Sequence, residues 1–191
     1  MILLLIAISL GIICGYNFNI IIPDNLITIL LMFLVFSVGI DIGSEEGILK
    51  KIKINLKVII IQTILTIGGT LIFGSMVSLF TSLSFKEALG ASSGLGWYSL
   101  SGVMISNLYS PVLGAISFTS NVIREILSIL LIPIISNFTY LGSISIAGAT
   151  SMDTMLGIIS KNTDKESTLI GFGQGVLITL SVPMLISIIF N

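Results

Sequence analysis

The sequence contains no histidine and a single cysteine, Cys14. A zinc site built from His and Cys is excluded, and so is an internal disulfide. Charge is also scarce. Only 9% of residues are Asp, Glu, Lys or Arg, against about 25% in a soluble domain, whose surface must be solvated. Eight Lys and Arg face nine Asp and Glu with no basic stripe, which excludes a nucleic-acid binder. No Walker-type phosphate loop is present, so the chain itself hydrolyses no nucleotide, and no cofactor is expected. What abounds is apolar: 54% of the 191 residues are hydrophobic and the mean hydropathy is +1.15. Length alone suggests one globular domain, but this composition cannot cover a water-facing surface. The expectation is an all-α integral membrane protein, a single domain over residues 1–191 built as a bundle of about 5–7 membrane segments.

Segment one runs from about Ile2 to Tyr16. It has no positive n-region and no small-x-small site, so it does not read as a signal peptide. Gly11-Ile12-Ile13-Cys14 is a poor lipobox, and Cys14 is expected to be buried and inert. Gly11 and Gly15 form a weak GxxxG pair. A turn is expected over residues 17–25, then a span from Leu26 to Ile42. Gly43 to Lys57 reads as a polar loop with Lys50, Lys51, Lys53 and Lys57, and Leu56 to Phe80 as a third span. Segment five, Pro111 to about Asn137, carries Asn121, Arg124 and Glu125 at its centre. Lys161 to Glu166 reads as a charged loop before segment seven, Ser167 to Phe190, with Gly171, Gly173, Gly175 and Pro183.

Segments four and six are unusual. Ala91-Ser92-Ser93-Gly94-Leu95-Gly96-Trp97-Tyr98-Ser99-Leu100-Ser101-Gly102 is too rich in serine and glycine for a lipid-facing helix. Segment six, Leu141 to Ser160, repeats the character at Ala147-Gly148-Ala149-Thr150-Ser151-Met152-Asp153-Thr154. Interrupted helices or re-entrant hairpins near residues 85–108 and 141–160 fit better, because broken backbone survives at membrane depth only inside protein or beside a wet cavity. Paired discontinuous segments point to a transporter site near the midplane.

Glu125 is the sharpest feature. A charge at mid-bilayer costs about 2.5–3.5 kcal/mol on insertion scales, and a carboxylate there binds a cation or carries a proton. The plainer alternative is a structural ion pair with Arg124, although helix neighbours point about 100° apart. Arg124 holds a substrate carboxylate or, the favoured reading, plays a structural part by neutralising a carboxylate such as Asp153. Asp153 either binds a cation or proton or caps the half-helix after it. Trp97 and Tyr98 either anchor at the interface or line a polar cavity and stack on a cation. Ser92, Ser93, Ser99, Ser101, Thr150 and Ser151 line that cavity or merely satisfy broken backbone. Asp41 reads as an interfacial charge, and Glu45, Glu46, Asp164 and Glu166 as solvated loop charges.

The twelve-residue stretch from Ala91 to Gly102 closely resembles the lysine exporter family of LysO type. Asn121-Val122-Ile123-Arg124-Glu125 and Gly148-Ala149-Thr150-Ser151-Met152-Asp153 agree in order and spacing. The resemblance runs from segment one to the end of the chain. It implies an inner-membrane exporter of L-lysine and its toxic analogues, driven by proton or ion exchange, with the family's intramembrane glutamate at Glu125. Full-length members carry a further N-terminal membrane part with another intramembrane acid. This chain is expected to correspond to the longer polypeptide of a split exporter, working with a short companion membrane subunit or as a homo-oligomer. The residues themselves leave open another amino acid or an inorganic cation as cargo. They also leave open a non-transporting assembly or regulatory subunit. An intramembrane enzyme is disfavoured: a Ser/His pair is impossible without histidine, and for a Ser/Lys pair the lysines lie at segment edges, far from the mid-membrane serines.

The lysines set the orientation. Positive-inside places the stretches Lys50–Lys57 and Lys161–Lys165 in the cytoplasm, the N-terminus with them and the C-terminus outside. This demands that segments four and six both cross or both re-enter. Ile52→Cys and Thr163→Cys, each in a Cys14→Ser background, are therefore expected to react with impermeant thiol reagents from the same, cytoplasmic face. Labelling from opposite faces would contradict the paired breaks.

Overall fold

The computed structural model describes residues 48–191, together with Leu10, residues 13–17, Ile29, Phe33, Phe36, Ser37 and Ile40. Gly11, residues 18–25, most of the span expected over 26–42, and Asp41, Glu45 and Glu46 lie outside the described residues. Cys14 is half-buried rather than buried, on a helical stretch whose other described side chains are exposed on a surface that lipid would cover.

The described residues are helical throughout. Helix α1, Ile48–Ser75, continues into a 3₁₀ turn, Met76–Leu79. It starts earlier than expected, so Lys50, Lys53 and Lys57 sit on its opening turns and not in a loop. Lysine is a good helix former, and its long stem reaches the headgroups from a helix as easily as from a loop. The short helices α2 (Phe85–Ser92) and α3 (Tyr98–Leu108) follow, then the long α4 (Pro111–Ile135). The pattern recurs with α5 (Tyr140–Ala147), a 3₁₀ turn (Gly148–Met152), α6 (Leu156–Asn162) and the long α7 (Lys165–Phe190). The charged loop expected over 161–166 shrinks to Thr163 and Asp164, because Asp164 caps α7 by accepting the Ser167 N–H at 2.7 Å. The stretches Lys53–Leu79, Pro111–Ile135 and Lys165–Phe190 are long and apolar enough to cross a membrane, which takes about 20 residues.

Packing is inverted relative to a soluble domain. Phe73, Val112 and Ile188 are 72%, 71% and 74% exposed, whereas Ser93, Ser101, Ser117, Ser128, Ser151 and Gln174 are wholly buried. Lipid solvates the outside, and polar groups must find partners within. Among the described residues, every buried side-chain nitrogen and oxygen has one.

The two helices of each short pair are joined by a tight turn, here called a break. The first break turns through Leu95 (φ 50°) and Gly96 (φ 105°), and the second through Gly148 (φ 63°, ψ −127°). The breaks cross one another, and the Ala149 N–H donates to the Leu95 carbonyl at 2.9 Å. Gly148 permits this on two counts. Its backbone conformation is one that side chains disfavour, and a Cβ there would collide with the Leu95 oxygen. Gly171 and Gly175 pack against other parts of the chain. A Cβ on Gly175 would come within 2.5 Å of the Met152 nitrogen, so α7 passes directly over the second break.

Gly148→Ala is expected to lower the thermal midpoint in detergent, through about 1–3 kcal/mol of backbone strain plus the displaced crossing. Gly68→Ala, with nothing within 4 Å of its Cβ, is expected to be neutral or to stabilise by about 0.5–1 kcal/mol. Equal midpoints for the two variants would contradict the crossing.

Candidate functional site

Helix α4 serves both breaks from a single turn. Asn121 Oδ1 accepts the Gly96 N–H at 2.7 Å, while its Nδ2 donates to the Ser117 carbonyl at 2.8 Å. This closes the first break. Arg124, three residues on, closes the second. Its Nε donates to the Ile146 carbonyl at 3.0 Å, Nη2 to the Ser145 carbonyl at 3.1 Å and Nη1 to the Thr70 hydroxyl at 3.3 Å. The guanidinium sits on carbonyl oxygens and a hydroxyl rather than on Asp153. A helix end buried away from water exposes carbonyls that need donors, and a cation also suits the negative end of the helix dipole.

Other side chains finish that end. Gln174 donates to the Ile144 carbonyl, Ser128 adds a second donor to Ile146, and Thr150 donates to Ala147 at 2.9 Å. Further back, Gln62 reaches the Leu141 carbonyl and the Ser145 hydroxyl. Sequence reading passed over Gln62, Thr66, Thr70 and Gln174. Their signal was available, since Gln62, Thr66 and Thr70 recur at four-residue intervals along an otherwise apolar span.

Glu125 points elsewhere, as its position next to Arg124 on a helix requires. It lines a cavity of about 140 Å³ at the crossing, together with Trp97, Tyr98, Ser99, Thr150 and Asp153. Those six expected site residues come together. Asn121, Arg124, Ser93, Ser101 and Ser151 do not line it, and each is committed to holding the backbone. Ser93 donates to Gly90, Ser101 to Tyr98, and Ser151 to Gly148 and Gly171. Ser92 likewise donates to Leu89.

Thr154 stands beside the two acids in the lining and was not foreseen. Its N–H donates to Asp153 Oδ1 at 2.6 Å. Its hydroxyl lies 3.5 Å from the same oxygen. Asp153 therefore holds its own turn rather than capping α6, where Met155 occupies the cap without a side-chain bond. Met152 and Thr179 complete the wall, the Thr179 hydroxyl lying 3.6 Å from the Met152 sulfur. Tyr98 stacks edge-on against Phe118 with centroids 5.4 Å apart, which fixes its ring at the cavity rim. The lining thus offers two carboxylates, four aliphatic hydroxyls and two aromatic rings, with no Lys or Arg. Such a lining suits a cation.

Away from the spans, Glu87 closes a capping box at the start of α2. The Ser84 backbone N–H and then the Ser84 hydroxyl hold its carboxyl below the ordinary range. Lys86 stands over the Phe190 ring, 5.8 Å from its centroid.

Comparison with known proteins identifies the family. The lysine exporter LysO family matches residues 5–190. The chain is 35% identical over 185 residues to the Haemophilus influenzae protein named "Putative lysine exporter", covering 96% of this chain and 94% of that one. It is 31% identical over 157 residues to lysine exporter LysO of Escherichia coli, covering 82% of this chain and 52% of that protein, about half its length. No solved structure matches. With a match over nearly its whole length, this multi-pass helical membrane protein belongs to the lysine exporter LysO family.

Proposed function

We propose that the chain is a single secondary-transport domain that exports L-lysine and lysine analogues across the inner membrane by exchange with protons or another ion. The observation that carries the reading is the cavity at the crossed breaks, which Glu125 and Asp153 line together with no Lys or Arg beside them. Lysine carries two ammonium groups, and a carboxylate pair removed from bulk water attracts them strongly. The same carboxylates can carry protons on the return half of an exchange cycle. Arg124 does not compete for this role, since its donors are spent on α5.

The broken segments are taken to frame the site as discontinuous helices, with both lysine-bearing stretches cytoplasmic and the C-terminus external. A further membrane chain, either a short companion or a second copy, is taken to cover the open groove of about 590 Å³ along α3 and α4. That groove carries Ser99 and Asn107, polar side chains that lipid cannot satisfy.

Glu125→Gln keeps shape and hydrogen bonding while removing the charge and the exchangeable proton. It is expected to reach the membrane at wild-type abundance and to lose export. In inside-out vesicles, an acid interior is expected to accelerate lysine uptake by the wild type and to leave the variant at background. Wild-type uptake by the Gln variant would make Glu125 a packing residue and would favour the non-transporting reading.

A further inference from the structure

The order of elements repeats. A capped eight-residue helix, a break, a second short helix and a capped long helix occur twice. The side-chain caps of the long helices, Ser110 and Asp164, are 54 residues apart, and those helices run 25 and 26 residues. Residues joined across the two breaks keep the same offset, because Leu95 and Ala149 form the crossing bond. Equivalent positions touch in this way beside a two-fold axis, where contacts are reciprocal. Reciprocity is visible elsewhere. Arg124 reaches Ser145, and Ile178, which corresponds to Arg124, packs in one cluster with Ala91, which corresponds to Ser145.

The cavity lies on that axis. At the same offset its lining pairs Tyr98 with Met152, Ser99 with Asp153 and Glu125 with Thr179. Chemically the two halves differ. One half supplies the carboxylates of Glu125 and Asp153, whereas their counterparts at the same offset, Thr179 and Ser99, line the cavity with hydroxyls. Thr179 is half-buried and spends its hydroxyl on the Met152 sulfur, a weak acceptor easily exchanged for an oxygen. Ser99 is exposed and stands in the first turn of α3, where the helix dipole favours negative charge.

We infer that Ser99 and Thr179 form a carboxylate-binding end of the site, opposite the ammonium-binding end made by Glu125 and Asp153, so that a cationic amino acid is held lengthwise between them. The inference rests on the exporter reading above and adds the orientation of the cargo.

The test measures binding to the purified full-length chain in detergent, by competition against labelled L-lysine. The two probes are L-lysine and cadaverine, the diamine that keeps the chain of lysine and lacks its carboxylate. Thr179→Val and Ser99→Ala are each expected to weaken L-lysine by about tenfold, the scale of a lost hydrogen bond to a charged group. They are expected to leave cadaverine unchanged, and Thr179→Ser is expected to restore L-lysine binding. Glu125→Gln is expected to weaken both probes. Wild-type L-lysine affinity in Thr179→Val and Ser99→Ala would overturn the inference. So would equal losses for the two probes, which would mark a packing defect. If Glu125→Gln alone leaves both probes unchanged, the exporter reading fails instead.

Discussion

Four carbonyls at the end of α5 govern the rest of the molecule. A helix leaves its last carbonyls without intrahelical donors, and at membrane depth no water can supply them. Here the oxygens of Ile144, Ser145, Ile146 and Ala147 receive Gln174, Arg124, Arg124 with Ser128, and Thr150. Those donors come from α7, α4 and the 3₁₀ turn itself, while Thr70 of α1 steadies the guanidinium. Satisfying one broken end therefore draws the three long helices around it. An unmet carbonyl in this position would cost several kcal/mol, a large fraction of the roughly 5–15 kcal/mol that keeps a domain folded.

This arrangement lets adjacent residues do opposite work. Arg124 and Glu125 point about 100° apart on one helix. The arginine charge is absorbed by a helix end and is taken out of the cavity. The glutamate is left lining the cavity with Asp153. Without the carbonyl cradle the arginine charge would stand unpaired at membrane depth. The same turn of α4 thus caps the end of α5 and places a carboxylate in the cavity.

Much of the site was legible in the sequence. Scarcity of charge makes Glu125 conspicuous, and the density of serine and glycine locates both breaks to within a few residues. The third, fifth and seventh segments are also plain, because an uninterrupted apolar run has one reading. What escaped was pairwise. That Leu95 meets Ala149 depends on how two segments cross, and no local pattern encodes a crossing. The partners of Arg124 escaped because backbone carbonyls have no letter in the sequence, so a carboxylate was the visible candidate. Thr154 and Thr179 escaped because threonine is ordinary in apolar helices. Only the repeat of elements singles out Thr179. The lysines at 50–57 were misread as a loop because charge suggests solvent, whereas a helix can carry charge beyond the bilayer.

The division of labour between Arg124 and Glu125 can be tested by thermal unfolding of the purified protein in detergent, with and without saturating L-lysine, for wild type, Arg124→Gln and Glu125→Gln. The account predicts that Arg124→Gln unfolds at a markedly lower temperature even without ligand. It predicts that Glu125→Gln unfolds near the wild-type temperature and that L-lysine no longer raises it. Arg124→Gln as stable as wild type, or a full lysine-dependent rise in Glu125→Gln, would contradict it.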